Sequence, residues 1–101
     1  MPRPRCKRTI GCIPGAVYFK PAGIPLRVLE EIVVSLDEVE SLRLADLDGL
    51  YQEKAAERMG ISRPTFSRLI VSAHRKIADA LVNGKALRLE GGRIRLKGGA
   101  Q

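Results

Sequence analysis

Gln52-Glu53-Lys54-Ala55-Ala56-Glu57-Arg58-Met59-Gly60-Ile61-Ser62-Arg63-Pro64-Thr65-Phe66-Ser67-Arg68-Leu69-Ile70 is the stretch that decides the fold. From Tyr51 to Met59 the spacing predicts a short helix, with Ala55, Ala56 and Met59 inward and Glu53, Lys54, Glu57 and Arg58 outward. Gly60 ends it, because glycine accepts the positive φ of a helix C-terminus. Ser62 caps the next helix, and Pro64 falls in its first turn, where a missing N–H costs little. Small Ala55 and Ala56 let two helices approach, Ile61 fills the space between them, and Phe66 and Leu69 pack the second helix on the first. This is the spacing of a helix-turn-helix.

The second of these helices extends to about Val82, where Asn83-Gly84 stops it. Its apolar residues Phe66, Leu69, Ile70, Ala73, Ile77, Ala80 and Leu81 fall within about 60° of one direction. The opposite side carries Pro64, Ser67, Arg68, Val71, Ser72 and Arg75, with Arg63 at the N-terminal tip. Arginine can pair with guanine through two hydrogen bonds, serine can bond a base or a phosphate, and valine can meet a thymine methyl. No carboxylate follows on this helix before Asp79. The free N–H groups at Ser62–Thr65 add a weak phosphate site. The candidate DNA-contacting set is therefore Ser62, Arg63, Pro64, Thr65, Ser67, Arg68, Val71, Ser72, Arg75 and Lys76, with duplex DNA as the partner.

Outward from this pair, Ser35-Leu36-Asp37-Glu38 has the pattern of a capping box. A first helix is expected from there to Asp48-Gly49, with Val39, Leu42, Ala45 and Leu47 as its apolar side. Val28–Ser35 is read as a short strand on its β-branched Ile32, Val33 and Val34, although Leu29, Glu30 and Glu31 would suit a helix. Tyr18–Pro25 is apolar but punctuated, and reads as an extended segment. Ala86–Glu90 and Arg93–Lys97 alternate around Gly91-Gly92, which signals a β-hairpin. The expected class is mainly α, three helices with a C-terminal hairpin, of winged-helix-like size. Residues 18–97 form the single domain, and residues 1–17, broken by proline and glycine, form a basic flexible arm.

The chain has 101 residues, a formal charge of +7, and 4% aromatics. The charge is uneven: residues 1–20 hold five bases and no acids, 21–60 four bases and nine acids, 61–101 nine bases and two acids. Clustered basic charge is the footprint of a polyanion partner. Scarce aromatics leave little to stack single-stranded bases on, so duplex DNA is favoured over RNA. No apolar run approaches the roughly 18–20 residues of a membrane span, and no apolar run follows the basic start. A cytoplasmic protein with no membrane partner is expected.

Leu36-Asp37-Glu38-Val39-Glu40-Ser41-Leu42-Arg43-Leu44, Gly49, Gln52-x2-Ala55-Ala56-x2-Met59-Gly60-Ile61-Ser62, Phe66 and Ala73-x3-Ile77 together resemble the DNA-binding region 4 of bacterial sigma factors. The resemblance covers about residues 36–82. It implies that the third helix enters the major groove and that the first two brace it. Met1-Pro2-Arg3-Pro4-Arg5, Tyr18–Leu26, Leu44-Ala45-Asp46 and Ala80–Leu87 are similar to a family of short, uncharacterised prokaryotic proteins described only as predicted DNA-binding proteins. This likeness bears on the fold and names no target.

Cys6 and Cys12 lie in a basic loop and could serve as thiolate metal ligands. With one distant histidine, His74, two thiols fall short of a site, so free thiols, no metal and no cofactor are expected. The carboxylates Asp37, Glu38, Glu40, Asp46 and Asp48 read as a solvated helix face. Arg3 and Arg5 belong to an arm suited to phosphate contact. No convergent catalytic set is present, so no enzyme is expected. The functional expectation is sequence-specific duplex binding by a transcriptional regulator. The alternatives are a protein-interaction module, whose acidic middle would face a basic partner, and RNA binding. The exposed edge of the hairpin offers a homodimer surface.

Overall fold

The computed structural model describes residues 8–11 and 13–96. In chain order the elements are β1 (Arg8–Ile10), β2 (Tyr18–Phe19), β3 (Glu31–Val34), α1 (Leu36–Leu42), α2 (Gln52–Met59), α3 (Arg63–Asn83), β4 (Ala86–Leu89) and β5 (Ile94–Leu96). A one-turn 3-10 segment, Leu26–Val28, precedes β3, and a π-helical turn, Arg43–Leu47, follows α1. The fold is mainly α, with three helices and strands at both ends.

The helix boundaries follow from local chemistry. Ser35 Oγ accepts from the Glu38 N–H at 3.3 Å and Glu38 Oε1 accepts from the Ser35 N–H at 2.9 Å, closing the capping box. Gly60 ends α2 at φ 69°, and Gly84 ends α3 at φ 68°. Ser62 Oγ accepts from the Thr65 N–H and starts α3. The core sits where α2 and α3 meet the π turn: Leu44, Ala55, Ala56, Met59, Phe66 and Ile70 are buried, with Ile61 and Leu69 packed on them.

In the π turn the Asp48 N–H reaches back to the Arg43 carbonyl, an i→i+5 bond. The wider turn sends Leu44 into the core, whereas Leu47 is 80% exposed. The apolar side expected for the first helix is thus displaced. Val39 and Leu42 are half-buried, and the buried residues of α1 are Asp37, Glu38, Glu40 and Ser41. At the far end of α3, Leu81 is likewise exposed rather than inward.

The C-terminal hairpin does not form. β4 is already paired on both edges, antiparallel to β2 and parallel to β3, giving the order β2-β4-β3. β5 instead runs parallel to β1, with Arg8 opposite Ile94, Thr9 opposite Arg95 and Ile10 opposite Leu96. Gly91 and Gly92 both take positive φ, but they carry the chain between the two sheets. A Cβ on Gly92 would stand 2.6 Å from Asp37 Oδ1, and the Leu36 N–H donates to the Gly91 carbonyl at 3.0 Å. The link is pinned across the start of α1, so the period-2 pattern marks two strands of different sheets. The expected hairpin is thereby replaced: β4 has both edges paired, and β5 is paired along one edge only, by β1.

β1 also changes the reading of residues 1–17. Arg8–Ile10 is strand, and Ile10 is 1% exposed. Arg8, Thr9 and Ile10 therefore belong to the folded domain rather than to an arm, because β5 supplies a pairing edge that their own sequence cannot reveal. Residues 1–7 and Cys12 lie outside the described residues.

Glu38 joins these parts. Its Oε1 accepts from Lys76 Nζ at 2.7 Å and from the Ser35 N–H, and its Oε2 accepts from Ser72 Oγ. Burial opposes its ionisation, but the hydrogen bonds from Lys76, Ser72 and the Ser35 backbone together outweigh burial and hold its carboxyl below the usual value. A carboxyl lowered in the folded state stabilises above its unfolded pKa and loses that contribution as pH falls through the folded value. Glu38→Gln should cost about 1–3 kcal/mol at neutral pH, and chemical denaturation should show the gap from wild type closing as pH falls below the ordinary carboxyl range. A gap independent of pH would contradict this role. Phe66→Ala should cost about 3–5 kcal/mol in the same assay, through the cavity it leaves under α2.

Candidate nucleic-acid interface

The core fixes how α3 is rolled. Phe66, Ile70, Ala73 and Ala80 face inward, so the helix must present Arg63, Arg68, Val71 and Arg75 outward, and all four are exposed. Val71 is 62% exposed, an apolar group held in water among arginines. Pro64 is exposed at the first turn, with Thr65 and Ser67 half-buried on its flanks. Ser62 Oγ and Thr65 Oγ1 bond each other at 2.9 Å, and Arg68 Nη2 reaches Thr65 Oγ1 at 3.4 Å.

Two members of the expected set have other partners. Ser72 and Lys76 both bond Glu38 of α1. They stand on the flank of α3 that α1 covers. Seen from sequence they continue the polar face; the structure uses them to fasten the helix that braces it. Arg3 and Arg5 lie outside the described residues, as do Cys6 and Cys12, so neither the arm nor a thiolate site has described geometry.

The carboxylates expected on a solvated face are mostly buried. Asp37, Glu38 and Glu40 are each 5% exposed. Glu40 holds the Arg43 guanidinium through Nε at 2.9 Å and Nη2 at 2.7 Å, and accepts from the Gly11 N–H at 3.0 Å. Asp37 lies 3.8 Å from Arg8 Nε. Asp46, half exposed, meets His74 Nε2 at 2.6 Å. Sequence alone places these acids on one helix but not the strand and helix that close over them. Asp79 is taken by Asn83 and Lys85, whose bonds hold its carboxyl below the usual range.

This pairing sorts the bases. Arg8, Arg43, Lys54, Lys76, Lys85 and Arg88 each have an acidic partner within 4.0 Å. Among the described residues Arg63, Arg68 and Arg75 have none, and Asp79 acts on Arg75 only at longer range. Arg93 and Arg95, outside the set expected from sequence, are also exposed and without an ion pair among the described residues. Arg95 lies opposite Thr9 in the β1–β5 pair, and Thr9 Oγ1 is 4.0 Å from the position of a Cβ on Gly60, in the α2–α3 turn. The signal that could have found them is the basic excess near the C-terminus, but bringing Arg95 toward the α2–α3 turn required the parallel pairing.

No helix among the described residues is long and apolar enough to cross a membrane. No solved structure matches the chain. The family model described as "Protein of unknown function DUF134" matches residues 1–97. A UPF0251 protein of Moorella thermoacetica is 57% identical over 98 residues, covering 97% of this chain and 66% of its own length. A UPF0251 protein of Caldanaerobacter subterraneus subsp. tengcongensis is 55% identical over 98 residues, covering 97% of this chain and 83% of the relative. One of Desulforudis audaxviator is 60% identical over 89 residues, covering 88% of this chain and 58% of the relative. The chain thus spans roughly three-fifths to five-sixths of these relatives' lengths. With a family model matched across nearly the whole chain and relatives above half identity, this chain belongs to the DUF134 (UPF0251) family.

Proposed function

We propose that this protein binds double-stranded DNA sequence-specifically, with α2 and α3 acting as a helix-turn-helix and α3 lying in the major groove. The observation that carries the reading is the uncompensated row on α3. Arg63, Arg68 and Arg75 are exposed on one helix and without an acidic partner among the described residues, whereas Arg8, Arg43, Lys54, Lys76, Lys85 and Arg88 are paired and the other described bases without an ion pair, Lys20, Arg27, Arg58, Arg93 and Arg95, lie elsewhere in the chain. Exposed Val71 between them gives the row an apolar point suited to a thymine methyl. A row of arginines on a rigid helix can read base edges, while the flanking bases Arg93 and Arg95 can neutralise phosphates. A regulator of transcription is the role that fits such a reader.

The protein-module alternative drew on the acidic middle of the chain. That support weakens, because Asp37, Glu38 and Glu40 are buried against partners of their own. The RNA alternative gains little: Phe66 is fully buried and Tyr18 is engaged with Arg88 and Glu31, which leaves only Phe19 of β2 and Tyr51 before α2 as exposed aromatics.

Arg68→Ala with Arg75→Ala should leave the thermal unfolding midpoint unchanged, since both side chains are exposed. In a competition assay the variant should lose preference for a selected duplex, by about 10-fold or more, at one to three kcal/mol per lost base contact. Unchanged discrimination between selected and random duplex would sink this reading.

A further inference from the structure

Between β1, the start of α1 and the first half of α3 lies a polar recess of about 500 Å³, lined by Arg8, Glu38, Thr65, Arg68, Leu69 and Ser72. Its acidic wall is already saturated. Glu38 accepts from Lys76, Ser72 and the Ser35 N–H, and its charge is balanced by Lys76. Its basic wall is not. The Arg8 side chain is 15% exposed, and its Nε is buried without a hydrogen-bond partner, since Asp37 Oδ2 stands 3.8 Å away, beyond bonding distance. Asp37 offsets the charge of Arg8, but nothing among the described residues accepts this proton. Across the recess, Arg68 bonds only Thr65 Oγ1, at 3.4 Å, and has no ion pair among the described residues.

We infer that the recess is a phosphate site, in which one oxyanion bridges Arg8 of β1 and Arg68 of α3, with Thr65 beside it. A tetrahedral oxyanion can accept from two guanidinium groups at once, and Arg8, which lines the recess and whose Nε has no hydrogen-bond partner among the described residues, can turn a donor toward it. A carboxylate ligand would need the same donors but offers fewer oxygens to span the recess. The inference rests on the duplex reading for the source of its phosphate, a backbone diester beside the bases that α3 reads; a free phosphate compound carries the same chemistry. Arg8 then acts as a positioning residue that sets the register of α3 on the duplex without reading sequence, and Arg68, engaged by the same phosphate, leaves base reading to Arg63, Val71 and Arg75.

Two measurements on the full chain test it. The first follows the Arg side-chain Nε–H signals of the wild type by NMR while inorganic phosphate is added, against chloride at matched ionic strength. The Arg8 and Arg68 signals should move saturably with phosphate and not with chloride. The second measures duplex affinity against salt. Arg8→Gln should flatten the log–log slope by about 0.9, the loss of one phosphate contact, with the ratio of selected to random duplex unchanged. Asp37→Asn, which keeps the Arg8 cation and removes the carboxylate beside it, should bind at least as tightly as wild type. If Arg8 served only to pair with Asp37, both variants would weaken binding alike, and the inference would fall. It also falls if the Arg8 signal ignores inorganic phosphate and the slope is unchanged. Should wild type bind no duplex while inorganic phosphate still moves Arg8 and Arg68, the duplex reading fails, and the site stands for a free phosphate compound.

Discussion

A buried carboxylate at the start of α1 organises this molecule. Glu38 closes the cap of its own helix and accepts from Ser72 and Lys76, two residues one turn apart on α3. Burying an anion is unfavourable unless donors surround it. Here the donors come from two helices, so the charge can be satisfied in only one relative placement of α1 and α3. Its neighbours extend the constraint. Asp37 faces Arg8 of β1, and Glu40 ties Arg43 and the Gly11 backbone. The N-terminal strand, the brace helix and the long helix are thereby locked to one another around ionised groups. The apolar core, Leu44, Met59, Phe66 and Ile70, lies on the other side of α3 against α2. Oil on one flank and salt on the other leave a single face of α3 open.

That arrangement changes the meaning of the net charge. A formal +7 on 101 residues describes attraction to polyanions in general. Once acids and bases pair inside the fold, three of the bases left without an ion pair among the described residues, Arg63, Arg68 and Arg75, stand together on α3, and the others, Lys20, Arg27, Arg58, Arg93 and Arg95, lie elsewhere in the chain. The acidic middle of the sequence is not an acidic surface of matching strength. Three of its carboxylates, Asp37, Glu38 and Glu40, are buried, and Glu38 fastens α1 to α3.

The helices were legible because their signals are local. Ser35 with Glu38, Gly60, Ser62 with Pro64, and Gly84 each act within a turn of their own position, and every one is found in its expected role. So is the outward row of α3, because Phe66, Ile70 and Ala73 set the helix roll by period alone. What failed depends on distant chain. Gly91-Gly92 looks the same whether it turns a hairpin or crosses α1; only the occupied edges of β4 decide. Arg8–Ile10 looks like arm until β5 pairs with it. Ser72 and Lys76 sit on the polar half of α3, and nothing within the helix says that Glu38, 34 residues away from Ser72, will claim them. The position of Leu44 follows from a π turn that has no sequence mark comparable to a cap.

The claim at the centre of this account is that the open face of α3 reads duplex DNA. Selection of bound sequences from a random duplex pool, at one stated salt concentration and with the full chain, addresses it most directly. A duplex-reading α3 should enrich a short defined motif, with affinity for that motif falling steeply as salt rises. A pool that stays random after repeated selection, or binding indifferent to salt, would contradict it.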